Sequence, residues 1–250
     1  MNTSDYFSNR RTIRKYDSSR PVSEELLHEL LTKASRAANT GNMQIYSVIV
    51  SRDPEKIAAL APAHFCQPAI KNATAVLTFC LDLHRFNRWC ELNATEGGLN
   101  NFQGFTWGVI DTSIFAQQFC TVAEMAGLGT CYLGTTTYNA GQIADVLALP
   151  EDVIPVITVT VGYPAETPDL QDRLPLDAVV HSESYHNPTD AEICKFYASE
   201  EANPESRKFI TENSKANLAQ VFAEVRYPRG TNEQFSRVYK EFLKNQGIEI

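Results

Sequence analysis

Between Thr106 and Ala126 the chain is apolar on more than one face of any helix it could form. Val109, Ile110, Ile114, Phe115, Phe119, Val122, Ala123 and Met125 do not fall on a single stripe. A surface helix keeps its apolar residues to one side, so this one is expected to be central, covered by the core or by a partner subunit. Three apolar runs supply strands to pack against it: Ile45 to Val50, Ala75 to Leu81 and Ile154 to Val161. Gly127 to Gly134 reads as a fourth, glycine-punctuated strand.

Helices separate these strands. Pro21-Val22-Ser23-Glu24-Glu25 is a helix start, with Ser23 as N-cap and two acids in the first turn, where the dipole favours negative charge. Leu26, Leu27, Leu30, Leu31 and Ala34 continue one face, and the helix is expected to stop near Ala38, ahead of the turn residues Asn39-Thr40-Gly41-Asn42. Asp53-Pro54 opens a short helix, and Asn139 to Leu149 forms another, closed by Pro150. The stretch 86–103 is polar and reads as an irregular excursion. The last ~60 residues are helical and charged, ending with Phe235 to Gly247, where Gly247 suits the residue just past a helix. The order of elements favours an α+β sandwich over a doubly wound sheet. A single domain over 1–250 is expected, with 86–103 and about 188–230 as excursions from it.

The chemistry concentrates near the N-terminus. Arg10-Arg11-Thr12-Ile13-Arg14-Lys15-Tyr16 places four cations in six positions of a chain whose formal net charge is −8. If extended, side chains alternate, so Arg10, Thr12 and Arg14 share one side. Guanidinium, hydroxyl and guanidinium in a row suit a ligand with a phosphate at one end and anionic character further along. A solvated basic patch fits the same residues, and both readings stand at this level. The acidic balance argues against nucleic acid, which needs broad basic surfaces. No apolar run is long enough to span a membrane. The first five residues lack the apolar core of a secretory signal, and a cytoplasmic setting is expected.

Other chemistries find no support. The six cysteines contain no Cys-x-x-Cys pair and read as neither a disulfide framework nor a zinc site. No Gly-x-Ser-x-Gly elbow is present. Gly127-x-Gly129 lacks the third glycine of a dinucleotide fingerprint and follows a helix instead of a strand. The five histidines have no metal-ligand spacing, and His181 and His186, five apart in a loop, read as surface residues, so no metal is expected.

The runs RRTIRKY, PVSEELL, SRAANTGNMQ, GLGTCYLG and VGYPAETPDLQDRLPLDAVVHSESY, over about residues 8–186, resemble the FMN-dependent nitroreductases. The likeness is to the branch of oxygen-insensitive NADPH nitroreductases and NADPH–FMN oxidoreductases. That resemblance implies a central, mostly antiparallel sheet flanked by helices, and an intertwined homodimer holding FMN at the subunit interface. It implies a ping-pong NAD(P)H oxidoreductase, with NADPH or NADH as co-substrate and small flat acceptors such as nitroaromatics, quinones or free flavin. The alternative is a flavin storage or sensor protein.

The resemblance also assigns residues. Arg10 and Thr12 would hold the FMN phosphate, joined by Arg173, with Gln171 standing where a lysine is usual. Arg11 would support the ribityl region, and Arg14 would lie beside flavin N1. Thr40, Gly41 and Asn42, with Gln44 nearby, would reach the flavin from the other subunit. Gln67 would face the edge near N5, and Leu133, Gly134 and Thr135 would offer backbone groups to the isoalloxazine. No side chain is assigned a catalytic role, because flavin N5 carries the chemistry. Arg207 and Lys208 are the candidates for a 2′-phosphate.

Overall fold

The computed structural model describes residues 3–250, which form two compact units, residues 3–168 with 235–250, and residues 169–234. The larger unit is built on a four-stranded sheet of β1 (Tyr46–Ser51), β2 (Ala75–Asp82), β3 (Gly129–Leu133) and β4 (Val153–Gly162). The order is β1-β2-β4-β3, and every neighbouring pair is antiparallel. The expected antiparallel α+β sheet is therefore present.

Strand β2 is buried along its whole length, and its alternation distributes the core. Ala75, Leu77 and Phe79 face one side, against Leu27 and Leu30 of helix α2 (Glu24–Ala34) and Phe115, Phe119 and Ala123 of helix α6 (Phe102–Met125). Val76 faces the other side, against Ile57 and Leu60 of helix α3 (Pro54–Leu60) and Ile143 of helix α7 (Ala140–Leu147). The sheet is thus sandwiched between two layers of helices. A register shift between Phe79 and Cys80 interrupts the ladder to β4.

Local signals held where they were local. Ser23 caps α2 by accepting from the Leu26 N–H at 3.1 Å, and Asp53 caps α3 by accepting from Glu55. Helix α2 stops at Ala34, four residues before the expected end, and continues as turn. Helix α6 begins at Phe102, because Asn101 caps it by accepting from the Gly104 N–H at 3.0 Å. Helix α5 (His84–Leu92) runs into the stretch 86–103 that reads as irregular.

At the C-terminus helix α11 (Arg229–Asn245) closes with Gly247 at φ 77°. The Ile248 N–H donates to Leu243 O and the Gly247 N–H to Lys244 O, which is the Schellman pattern. This turn places Leu243 and Ile248 in a small core with Ile45, Leu81, Leu83 and Ile154.

The unit 169–234 contains helices α8 (Asp190–Ala202), α9 (Pro204–Glu212) and α10 (Leu218–Gln220) and a π-turn at Val221–Arg226. Thr189 and Glu192 form a capping box at the start of α8. Among the described residues no helix is long and apolar enough to cross a membrane.

Candidate functional site

The basic segment lies beside β3, outside the named strands. Ile13 donates its N–H to Thr130 O at 3.0 Å, and Tyr16 bridges to Pro164. Ile13 and Tyr16 are buried, and the Tyr16 hydroxyl bonds Ile13 O and Thr160 O. Gly129 makes this contact possible: a Cβ there would sit 2.6 Å from Ile13 Cβ. The segment is therefore anchored by its apolar residues.

Those cations have different partners. Arg10 Nε and Nη2 both donate to Glu124 at 3.2 Å, and Nη1 donates to Thr12 Oγ1 at 3.4 Å. Glu124, near the end of α6, also accepts from the Tyr6 hydroxyl at 2.9 Å and from Thr130 Oγ1. Burial and the Glu124 charge push the Tyr6 phenol up to about 12. Burial would lower Arg10, but the charge and hydrogen bonds of Glu124 outweigh it and hold the guanidinium above its ordinary value. Arg11 donates to Asn9 O and, at 2.8 Å, to Pro168 O.

The backbone N–H groups of Arg14 and Lys15 both donate to Glu166 Oε1, and Lys15 Nζ lies 3.8 Å from Glu166 Oε2. The Arg14 side chain is exposed, and among the described residues no carboxylate pairs with it. Burial raises the Cys131 thiol, while Arg14 and Arg10 act against that shift, which sets both cations near the middle of β3.

The end of β3 carries Leu133, Gly134 and Thr135. Gly134 is exposed, with nothing within 4 Å of where a Cβ would stand. Thr135 is buried, and its hydroxyl lies 2.9 Å from Nδ1 of His64. Gln67 follows His64 by three residues and donates its N–H to His64 O at 3.2 Å. The structure thus gathers Arg10–Arg14, Leu133–Thr135 and Gln67 around β3.

Thr40, Gly41 and Asn42 form a tight turn elsewhere. Gly41, Asn42 and Gln44 all have positive φ, of 58°, 56° and 54°. The turn is held by Asp111, whose buried carboxylate accepts the Thr40 N–H at 2.9 and 3.0 Å and the Thr40 hydroxyl at 2.9 Å. The Gln44 amide donates to Asn42 O at 3.3 Å. Asp111 and Glu124 are thirteen residues apart on one helix, or roughly 20 Å at 1.5 Å per residue. Within one protomer, then, the Thr40 turn and the Arg10 end belong to distant stretches of α6.

Arg173 lies in the second unit, exposed, with Nη1 donating to the carbonyls of Gln171 and Asp172 at 3.0 and 2.9 Å. Lys208 pairs with Glu212 at 3.8 Å.

Three residues that matter here were not singled out by sequence. Asp111 had a signal, since an acid inside an apolar helix demands a partner. Glu124 and His64 are explained only by partners distant in the chain. His64 is fully buried. Its burial pushes the imidazole down to about 4.

A helix-flanked antiparallel sheet with an arginine-rich segment along one strand defines an α+β cofactor-binding class of protein. The chain belongs to the nitroreductase family, whose sequence model matches residues 7–163. It is 33% identical over 192 residues, 76% of both chains, to a protein of Bacillus subtilis (strain 168) named FMN reductase (NADPH). It is 30% identical, over 75% of both chains, to the oxygen-insensitive NADPH nitroreductase of Salmonella typhimurium. The crystal structure of a putative oxidoreductase from Bacteroides fragilis NCTC 9343 superposes with a TM-score of 0.96 at 49% identity, covering 98% of this chain and 100% of that one.

Proposed function

We infer that the chain is an FMN-dependent NAD(P)H oxidoreductase of the nitroreductase and flavin reductase type. The observation that carries this reading is the Arg10–Thr12–Arg14 segment docked at the start of β3, with Ile13 N–H on Thr130 O, in a chain of the nitroreductase family. The donor set fits FMN: guanidinium and hydroxyl groups for a phosphate, then an exposed glycine that lets a flat ring approach the backbone. The chemistry that bound FMN supplies is hydride acceptance from NAD(P)H and electron delivery to nitroaromatics, quinones or free flavin.

The residues have these roles. Arg10 and Thr12 take the phosphate, with Arg173 joining them, and Gln171 leaves that site one cation short of the usual set. Glu124 orients Arg10 by occupying its Nε–Nη2 edge. Arg11 supports the ribityl chain. Arg14, which has no carboxylate to neutralise it, favours the anionic reduced state beside N1. Gln67 meets the edge near N5, and Leu133, Gly134 and Thr135 present backbone groups to the ring.

A homodimer completes the site. On α6, Ile110, Ile114 and Met125 remain 48%, 40% and 39% exposed, a face that a second copy would bury. In the same assembly the partner supplies Thr40, Gly41, Asn42 and Gln44, which lie far along α6 from the protomer's own Arg10. The chain works in the cytoplasm. The storage or sensor alternative is not favoured by relatives that are named reductases.

Purified protein should be yellow and should bleach on anaerobic addition of NADPH or NADH, with colour returning when menadione or nitrofurazone is added. Colourless protein that also fails to take up added FMN would sink the reading.

A further inference from the structure

We propose that His64 is a positioning residue for the turn after β3: it clasps Thr135 so that the Gly134–Thr135 backbone and Gln67 are held as one edge of the site. The inference rests on the flavin reading above.

His64 ends a short turn, Ala61–His64, and is 0% exposed. Its Nδ1 meets Thr135 Oγ1 at 2.9 Å across 71 residues of sequence. This is not the sole tie between the two loops. Asn139 Nδ2 donates to Ala63 O at 2.7 Å, and the Phe65 ring lies 6.4 Å from Tyr138 and 6.3 Å from Phe235, which stack on each other at 4.3 Å. The next residue of the turn is fixed independently: Thr136 Oγ1 donates to Leu133 O and accepts from the Thr158 N–H of β4.

The His64–Thr135 bond is the part of this clasp that sets backbone orientation. With the Thr135 side chain drawn inward, the adjacent exposed Gly134 loses the freedom a glycine would otherwise have. On the other strand of the clasp, His64 O accepts the Gln67 N–H, so the same residue sets the direction from which Gln67 approaches. Phe65 and Cys66, between them, both have φ 52°, a pair of left-handed residues that needs outside contacts to persist. His64 Nε2 is buried without a partner, so Thr135 is its polar contact among the described residues. A ring that stays neutral can sit there without a counter-ion.

The test is a double-variant cycle on the full chain, using Thr135→Val, Thr135→Ser, His64→Leu and the pair His64→Leu/Thr135→Val. FMN is titrated into protein stripped of flavin, and the visible band of the bound flavin is recorded. The expected result is an FMN dissociation constant about tenfold higher in each single apolar variant, with the double variant no worse than either, since both delete one bond. The spectrum should shift in the apolar variants, and Thr135→Ser should restore both readouts. Effects that multiply in the double variant, or an unchanged constant and spectrum in Thr135→Val, would overturn the clasp.

If His64→Leu does not fold, the Val and Ser variants of Thr135 decide the matter by themselves. If the wild type takes up no FMN, the flavin reading has failed, and hydrogen exchange still tests the clasp. Amides 134–138 should exchange faster in Thr135→Val than in wild type or Thr135→Ser. Equal rates would overturn it.

Discussion

Two turns carry residues assigned to the flavin, and in each a threonine bonds a polar side chain from a distant part of the chain. The Thr40 turn is held by a charged group, Asp111, through three contacts of 2.9–3.0 Å. The Thr135 turn is held by an imidazole, His64, through one contact of 2.9 Å. The difference follows from what lies around them. Thr40 begins a run of left-handed residues, Gly41, Asn42 and Gln44, whose conformational cost needs a strong anchor. Thr135 follows a strand already paired to β4, so only the orientation of the turn remains to be specified. A buried carboxylate fits the first case because the Thr40 N–H and hydroxyl both donate to it. The neutral ring fits the second because nothing there would balance a charge. Polar strength is placed where the backbone is least self-supporting.

The comparison is broken most directly at Asp111. Asp111→Ala leaves the Thr40 N–H and hydroxyl without their acceptor and should cost about 3 kcal/mol in urea unfolding, the scale of hydrogen bonds to a charged group. Asp111→Asn retains one acceptor and should lose roughly half of that. A loss below ~1 kcal/mol in the alanine variant would mean that the turn is self-supporting and the contrast is wrong.

The imidazole contributes a pH dependence of opposite logic. His64 is held at about 4, against 6.5 for a free ring, so the folded chain stays neutral while the unfolded chain takes up a proton. Stability is therefore unaffected above pH ~6.5 and falls as pH drops from there toward 4. Between pH 7.5 and 5 this group accounts for about 2 kcal/mol of lost stability. His64→Asn removes the titration, so its unfolding free energy should fall less than wild type over the same interval. Parallel losses in the two proteins would show that His64 does not titrate this way.

How much of this was legible in the sequence depends on the span of each interaction. Ser23 capping α2 and Gly247 closing α11 are settled within five residues, and both could be read directly. The three apolar runs located β1, β2 and β4, and in β2 and β4 burial on both faces leaves few polar interruptions. Helix α5 escaped notice because Leu83 offers no side-chain cap. Its first turn is held instead by Asp82 accepting from the Arg85 N–H and by the Arg85 guanidinium reaching back to Ser47 and Tyr46. The Arg10 row was visible as a charge pattern, but Glu124 as its partner was not, since 114 residues lie between them. His64 carried no signal at all: its meaning is a contact with a loop 71 residues later.

A smaller effect than either clasp is expected at Arg14. An uncompensated guanidinium at an effective dielectric near 20 contributes about 1–2 kcal/mol to an anion roughly 10 Å away. Arg14→Ala should therefore make reduction of bound FMN less favourable, lowering its two-electron midpoint potential by about 30 mV. Stability should barely change, because the side chain is exposed and pairs with no carboxylate among the described residues. A potential equal to wild type would remove Arg14 from the neighbourhood of N1 while leaving both clasps intact.

The smallest effect should come from the adjacent cation, and it sharpens the distinction between charge that is placed and charge that is solvated. Lys15 neighbours Arg14 in the basic run, but its ammonium lies 3.8 Å from Glu166, and its side chain is 71% exposed. Exposed pairs of this kind are screened and contribute little. Lys15→Ala should leave FMN affinity and midpoint potential unchanged in the assay that detects Arg14→Ala. A shift in potential matching that of Arg14→Ala would mean that the segment acts through its summed charge, and the assignment of individual arginines along β3 would have to be given up.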